Sequence, residues 1–282
     1  MREPDLPERL KREFATFTPA GKRIATYLLA NLQQLPYETA DGIAAQTGIT
    51  GITVGRFLRQ LGFKNLDALK KSLRGGRPLL MTDRLGTFRA QAAHGNTLEQ
   101  SLEREKRALE HSYRLTGTPE FERVVAGIAD ADSVYLAGIQ STRGIVNSLF
   151  CHLEYIRPRV HFVDGLSGTY VESLNSECAA PYLVVTDLSA YSIMTRRLVA
   201  AACGRGIPTA FIGDKYCTWA RDYPVDFLQI ETDVGQFWDS LAPMCCLFNL
   251  IADAVVVRLG PKVDDRFVRN KILQKELGQF EL

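Results

Sequence analysis

The chain has 282 residues, 46% hydrophobic and 23% charged, with a net charge of +2. That length suggests two domains, and that apolar share is enough to bury real cores. The pattern leads us to expect no leader, no membrane span and no metal site. The start, MREPDLPERLKREF, is charged without an apolar core. The most apolar stretch, residues 244–259, is broken by Asn249 and Asp253 and is shorter than the roughly 20 residues a span needs. The six cysteines have no C-x-x-C spacing and the four histidines form no cluster with them, so free thiols in a reducing cytoplasm are expected.

The charge is uneven. Residues 1–77 hold 13 Lys/Arg against 7 Asp/Glu, and the remainder 21 against 25. A basic N-terminal module on a mildly acidic body suits a polyanionic partner for the first part only.

Thr18-Pro19 reads as a helix start, a capping Thr followed by Pro. Ile24, Leu28 and Leu32 continue it as a stripe beside Tyr27, and Pro36 ends it. Thr39 then caps a helix with Ile43 and Ala44 inward, Gly48 supplies a left-handed stop, and Thr50 caps the next helix. On that second helix Val54, Phe57, Leu58 and Leu61 form one buried stripe. The opposite side carries Thr53, Arg56, Arg59 and Gln60. This is the layout of a helix-turn-helix, whose second helix can enter a major groove with Arg on guanine or phosphate and Gln on adenine. Similar helix pairs also occur in all-α proteins that bind nothing. Asn65 caps a further helix with Leu66, Leu69 and Leu73 inside.

Gly75-Gly76-Arg77-Pro78 is a linker signal. Residues 97–115 are strong helix formers with alternating charges and read as a solvated connecting helix. From about residue 118, β-rich runs at 133–139, 161–165, 182–188, 208–214 and 226–232 alternate with helical stripes such as Leu149, Leu153, Ile156 and Met194, Leu198, Ala201. Strands alternating with helices predict a parallel sheet with right-handed crossovers. A last helix is expected over 236–259.

In such a sheet, ligands bind beyond the carboxyl ends of the strands. Three loops are candidates: residues 138–144 with Gln140, Ser141 and Thr142; residues 187–192 with Asp187, Ser189, Tyr191 and Ser192, and Thr195 one turn on; and Gly213-Asp214-Lys215. Ser and Thr at helix N-termini can hold an anion such as phosphate, although capping is their commoner task. There is no G-x-G-x-x-G and no Walker A motif. Glu154, Glu172, Glu177, His152 and His161 are candidate acid–base groups, and nothing in the sequence sets them opposite the hydroxyl loops.

Taken together, the chain resembles bacterial transcription regulators of the RpiR type, an N-terminal helix-turn-helix domain joined to a C-terminal sugar-isomerase (SIS) domain. FTPAGKRIATYLLAN and ETADGIAAQTGITGITVGRFLRQLGFKNLDALKKSL follow the family pattern. The SIS loops depart from it. The usual G-x-G-x-S is here Gly138-Ile139-Gln140-Ser141-Thr142, with the second Gly lost. The usual S-F-P-R-Y-S-x-x-T is here DLSAYSIMT, which keeps Tyr191, Ser192 and Thr195 but replaces the first Ser by Asp187 and the Arg by Ala190.

The resemblance implies an all-α helix-turn-helix domain (1–77), a linker and connecting helix (78–117) and a five-stranded, doubly wound α/β domain (118–282). It implies a cytoplasmic, non-enzymatic, ligand-responsive regulator without cofactor or metal. The DNA operator would meet Thr50, Gly51, Thr53, Arg56, Arg59 and Gln60. The effector, a sugar-related metabolite or sugar phosphate, would meet Gln140, Ser141, Thr142, Asp187, Ser189, Tyr191, Ser192 and Thr195. The assembly would be a homodimer or homotetramer. Asp187 and Ala190 weaken a phosphate site, so a less anionic effector and a silent pocket both stay open, as does a sugar-phosphate isomerase with an appended helical domain.

Overall fold

The computed structural model describes the chain except residues 1–5, 32–34, 36–37, 74–84, 87, 91, 93–97, 166–167, 190–191 and 279–282. Leu32, Pro36, the 75–78 linker, Ala190 and Tyr191 therefore lie outside the described residues, as does the side chain of Leu73. The chain forms two compact units, Met1–Arg89 and Ala90–Leu282.

The first unit contains α1 (Leu6–Glu13), a 3-10 turn (Phe14–Thr16), α2 (Pro19–Ala30), α3 (Ala40–Thr47), α4 (Gly51–Gln60) and α5 (Leu66–Leu73). The starts of α2 to α5 are set by the residues that the sequence singles out. Thr18, Thr39 and Thr50 accept the amides of Gly21, Gly42 and Thr53 at 3.1, 2.9 and 3.4 Å, and Asn65 accepts that of Ala68 at 2.9 Å. Gly48 ends α3 at φ 63°, a left-handed conformation that a side chain would strain. Ile24, Leu28, Ile43, Val54, Phe57, Leu58 and Leu61 make the core, each burial contributing on the order of 1.5–3 kcal/mol. Helix α1 is not anticipated in the sequence. Its Leu6 and Leu10 lie one turn apart and are both buried in this core.

The second unit contains α6 (Leu98–Leu115), α7 (Pro119–Asp130), β1 (Ser133–Gly138), α8 (Thr142–Ile156), β2 (Val160–Val163), α9 (Tyr170–Leu174), β3 (Pro181–Asp187), α10 (Ile193–Gly204), β4 (Thr209–Asp214), β5 (Asp226–Ile230), α11 (Ala242–Leu259) and α12 (Pro261–Glu276). The five strands pair in parallel in the order β2-β1-β3-β4-β5. Along β1, Val134 and Leu136 face one apolar layer with Leu149, Leu153, Leu247 and Ile251. Tyr135 and Ala137 face the other, with Leu198, Val199 and Phe211. The expected α/β class with a five-stranded parallel sheet is what the chain adopts. The strand order turns back between β1 and β3, which opens the crevice of a doubly wound sheet at their carboxyl ends.

Three elements differ from the sequence reading. Helix α6 is packed rather than a solvated connector: Ser112 donates to the Pro243 carbonyl at 3.0 Å, and the His111 ring lies 2.9 Å from the Gln229 carbonyl. Helix α11 starts at Ala242 rather than 236, because Pro243 favours the first turn and disfavours helix before it. Helix α11 is long and apolar enough by composition to cross a membrane, and its Met244, Leu247, Phe248, Ile251 and Val255 are buried in the core of the unit. Helix α12 is additional.

Candidate functional site

Two polar surfaces carry the sequence candidates. The first lies on α3 and α4, two helices joined by the Gly48 turn. Thr47 closes α3 from inside by donating to the Ile43 carbonyl at 2.6 Å. On α4 the stripe Val54, Phe57, Leu58 is buried, and the Phe57 ring meets Phe17 edge-on at 5.0 Å. That packing leaves Thr50, Arg56, Arg59 and Gln60 exposed, with Gly51 and Thr53 half-buried. Thr50 and Thr53 share a hydroxyl hydrogen bond of 2.9 Å. The sequence reading missed Ile52, which is 75% exposed in the first turn of α4. An apolar side chain facing solvent between two Thr was the signal available; such a group can contact a thymine methyl in a major groove.

The second surface is the carboxyl edge of β1, β3 and β4. Gly138 ends β1 where a Cβ would come within 2.8 Å of the Arg143 Cα and 2.9 Å of the Thr142 carbonyl. Only glycine lets the chain turn so tightly into α8. Gln140 sits in that turn at φ 51°, and it and Ser141 are exposed. Ser141 stands at the start of α8 without a capping hydrogen bond from its side chain. Thr142 is fully buried: its hydroxyl lies 2.9 Å from the Ile139 amide and carbonyl and 2.8 Å from the Thr186 hydroxyl.

At the end of β3, Asp187 is 2% exposed. Its carboxylate accepts the Leu188 amide at 2.8 Å and the Thr195 hydroxyl at 2.7 Å. Burial pushes its carboxyl up to about 7, with the nearby Asp214 adding to the rise and the Thr195, Leu188 and Ser192 hydrogen bonds opposing it. Ser189 turns at φ 63°, held by Asp214, which accepts its amide at 2.8 Å and its hydroxyl at 3.3 Å. The Ser189 hydroxyl is also 3.2 Å from Asp239. Ser192 caps α10 through the Thr195 amide at 3.4 Å. Arg143, on the first turn of α8, pairs with Asp164 beyond β2 at 3.1 Å.

The structure thus gathers Thr142, Asp187, Ser189, Ser192 and Thr195 at one sheet edge, where Thr195 bonds to Asp187 and Ser192, Thr142 to Ile139 and Thr186, and Ser189 to Asp214 and Asp239. Gln140 and Ser141 point to solvent there. The acidic pair Asp187 and Asp214, the second of them 1% exposed, replaces a simple hydroxyl cluster. Glu154, Glu172, Glu177, His152 and His161 are exposed. Among the described residues no hydrogen bond ties their side chains to these loops, and no group of three His, Cys, Asp or Glu is arranged to hold a metal.

No protein-family model matches the chain, and no curated protein matches it in sequence. Among solved structures it is similar to NanR of Vibrio vulnificus complexed with ManNAc-6P, with TM-score 0.56 and 14% identity over 97% of this chain and 99% of that one. It is also similar to the sugar isomerase domain of an RpiR transcription factor from Sphaerobacter thermophilus, with TM-score 0.56 and 18% identity over 63% of this chain and 99% of that one. At these identities the likeness is one of fold alone: the five-stranded parallel α/β unit is folded like that sugar isomerase domain.

Proposed function

We propose that this chain is a ligand-responsive DNA-binding transcription regulator of the RpiR type, acting in the cytoplasm and not as an enzyme. The observation that carries the reading is α4, a helix anchored by Val54, Phe57 and Leu58 whose outer face presents Thr50, Ile52, Arg56, Arg59 and Gln60. In this reading that face enters the major groove of an operator. Arg56 and Gln60 read base edges, Ile52 meets a thymine methyl, and Thr50, Gly51, Thr53 and Arg59 position the helix. The α/β unit binds a small sugar-related effector at the crevice between β1 and β3. There Gln140, Ser141 and Ser192 contact it, while Thr142, Asp187, Ser189 and Thr195 shape the wall. An effector that binds one arrangement of a homo-oligomer better than another shifts the population of DNA-binding states. The exposed Phe267, Val268, Ile272 and Leu273 of α12 support a self-association surface.

A gel shift with the chain's own upstream DNA tests this. Specific binding that weakens steeply with salt is expected. Arg56→Ala should weaken specific binding by about tenfold to a hundredfold, as loss of a bidentate base contact does. Wild-type affinity in that variant removes Arg56 from the reading. No shift at any salt removes the regulator itself.

A further inference from the structure

We infer that Asp187 is a resident carboxyl group at the ligand edge of the sheet, and that it sets this edge to refuse phosphate esters and to accept uncharged hydroxylated compounds. The inference deepens the effector site proposed above and rests on that reading.

An incoming phosphate at the start of α10 would need the N–H and O–H donors that face that position. Those donors are already engaged. The Leu188 amide and the Thr195 hydroxyl point at the Asp187 carboxylate at 2.8 and 2.7 Å, and the Ser192 amide adds a third bond. Asp187 and Thr195 are 2% and 0% exposed, so the arrangement is an interior one and not a surface side chain that swings aside. The carboxylate occupies the place that a ligand's phosphate would take.

The surrounding charge points the same way. Asp214 lies on the next strand and holds the Ser189 and Tyr216 amides at 2.8 and 3.0 Å. Asp239 reaches the Ser189 hydroxyl from a third segment. A dianion brought beside these carboxylates is repelled, and burial strengthens that repulsion. Of the cations nearby, Arg143 is matched by Asp164, and Lys215 lies over the Tyr216 ring at 5.4 Å. What the edge turns outward at its first loop is neutral: the Gln140 amide and the Ser141 hydroxyl. Such groups bind sugar hydroxyls through neutral hydrogen bonds.

The test is calorimetric titration of the full chain at mildly alkaline pH with inorganic phosphate, glucose 6-phosphate and glucose. Wild-type protein should show no preference for the ester over the sugar. Asp187→Ser and Asp187→Ala remove the carboxylate and its bulk, free the Leu188, Ser192 and Thr195 donors and should each raise phosphate affinity by about tenfold or more. A wild-type preference of about tenfold or more for the ester overturns the inference, and so does a folded Asp187→Ser or Asp187→Ala protein that binds phosphate no better than wild type. If one variant loses its fold by circular dichroism, the other variant and the wild-type preference decide. These titrations involve no DNA. A failed gel shift sinks the regulator reading and leaves them standing, while a phosphate-selective wild type sinks only the role of Asp187.

Discussion

The two polar surfaces use hydroxyl residues at helix starts in opposite ways. On α4 a capping Thr, two Arg and a Gln project outward from a helix whose other side is core. At the sheet edge the hydroxyls and carboxylates fold back on one another. Thr50 caps in the open with a 3.4 Å bond, whereas Thr142 is 0% exposed and in contact with four neighbouring groups within 3.1 Å. A hydroxyl near a helix start is therefore not informative until its burial is known. Exposed groups are available to a partner, and buried ones hold the loop that a partner would meet.

The largest effect should come from breaking the inward network. Thr142→Val keeps the shape and removes the hydroxyl, leaving the Ile139 amide and the Thr186 hydroxyl without that partner. The expected cost is about 2–3 kcal/mol, the penalty for stranding buried polar groups. Both tryptophans, Trp219 and Trp238, lie in the second unit, so denaturation followed by tryptophan fluorescence reads that unit alone. A cost within about 0.5 kcal/mol, as for an ordinary surface substitution, would erase the contrast between the two surfaces.

A smaller effect follows from Asp187. Its ordinary value is 3.8 and burial raises it to about 7. Between those values the folded protein keeps a proton that the unfolded chain has released. The second unit should therefore lose stability as pH rises through that window, at a slope approaching roughly 1 kcal/mol per pH unit. Asp214 on β4, Asp239 beyond β5, Tyr170 on α9, Cys217 and Lys215 after β4 and Arg143 on α8 are among the other ionisable groups around this corner. Asp187→Asn removes this contribution, so its stability should be flatter across the same range by denaturant titration at several pH values. Equal slopes in the two proteins would mean that Asp187 is not desolvated as described.

Much of this was legible in the sequence, for identifiable reasons. The five strands were placed within about two residues because buried parallel strands carry continuous apolar runs ended by Gly, Asp or Pro. The caps at Thr18, Thr39, Thr50 and Asn65 were legible because each short side chain precedes an apolar stripe. Helix α12 was not: of its side chains only Val263 is buried, so it offers no inward stripe to recognise. The direction of the site hydroxyls was not legible either. It depends on left-handed turns at Gln140 and Ser189, which neighbouring side chains impose on residues with no such preference of their own. The motif positions could thus be named from Asp187 to Thr195, but not the fact that Asp187 and Thr195 bind each other.

The smallest expected effect tests whether internal satisfaction holds throughout the second unit. Tyr182, near the start of β3, is 4% exposed and packs against Gly127, where a Cβ would come within 2.2 Å of its ring. Its hydroxyl is buried with no hydrogen-bond partner among the described residues, and burial raises its pKa first, with Asp226 adding to the rise. Unlike Thr142, it contributes a desolvation cost without a bond in return. Tyr182→Phe should then be neutral or stabilising, by up to about 1 kcal/mol, since the ring and its apolar contacts remain. The same tryptophan-followed denaturation reads it. A loss of stability instead would mean that the hydroxyl has a bonded partner, such as an ordered water, and that polar groups in this unit are satisfied even at the end of the sheet away from the ligand edge.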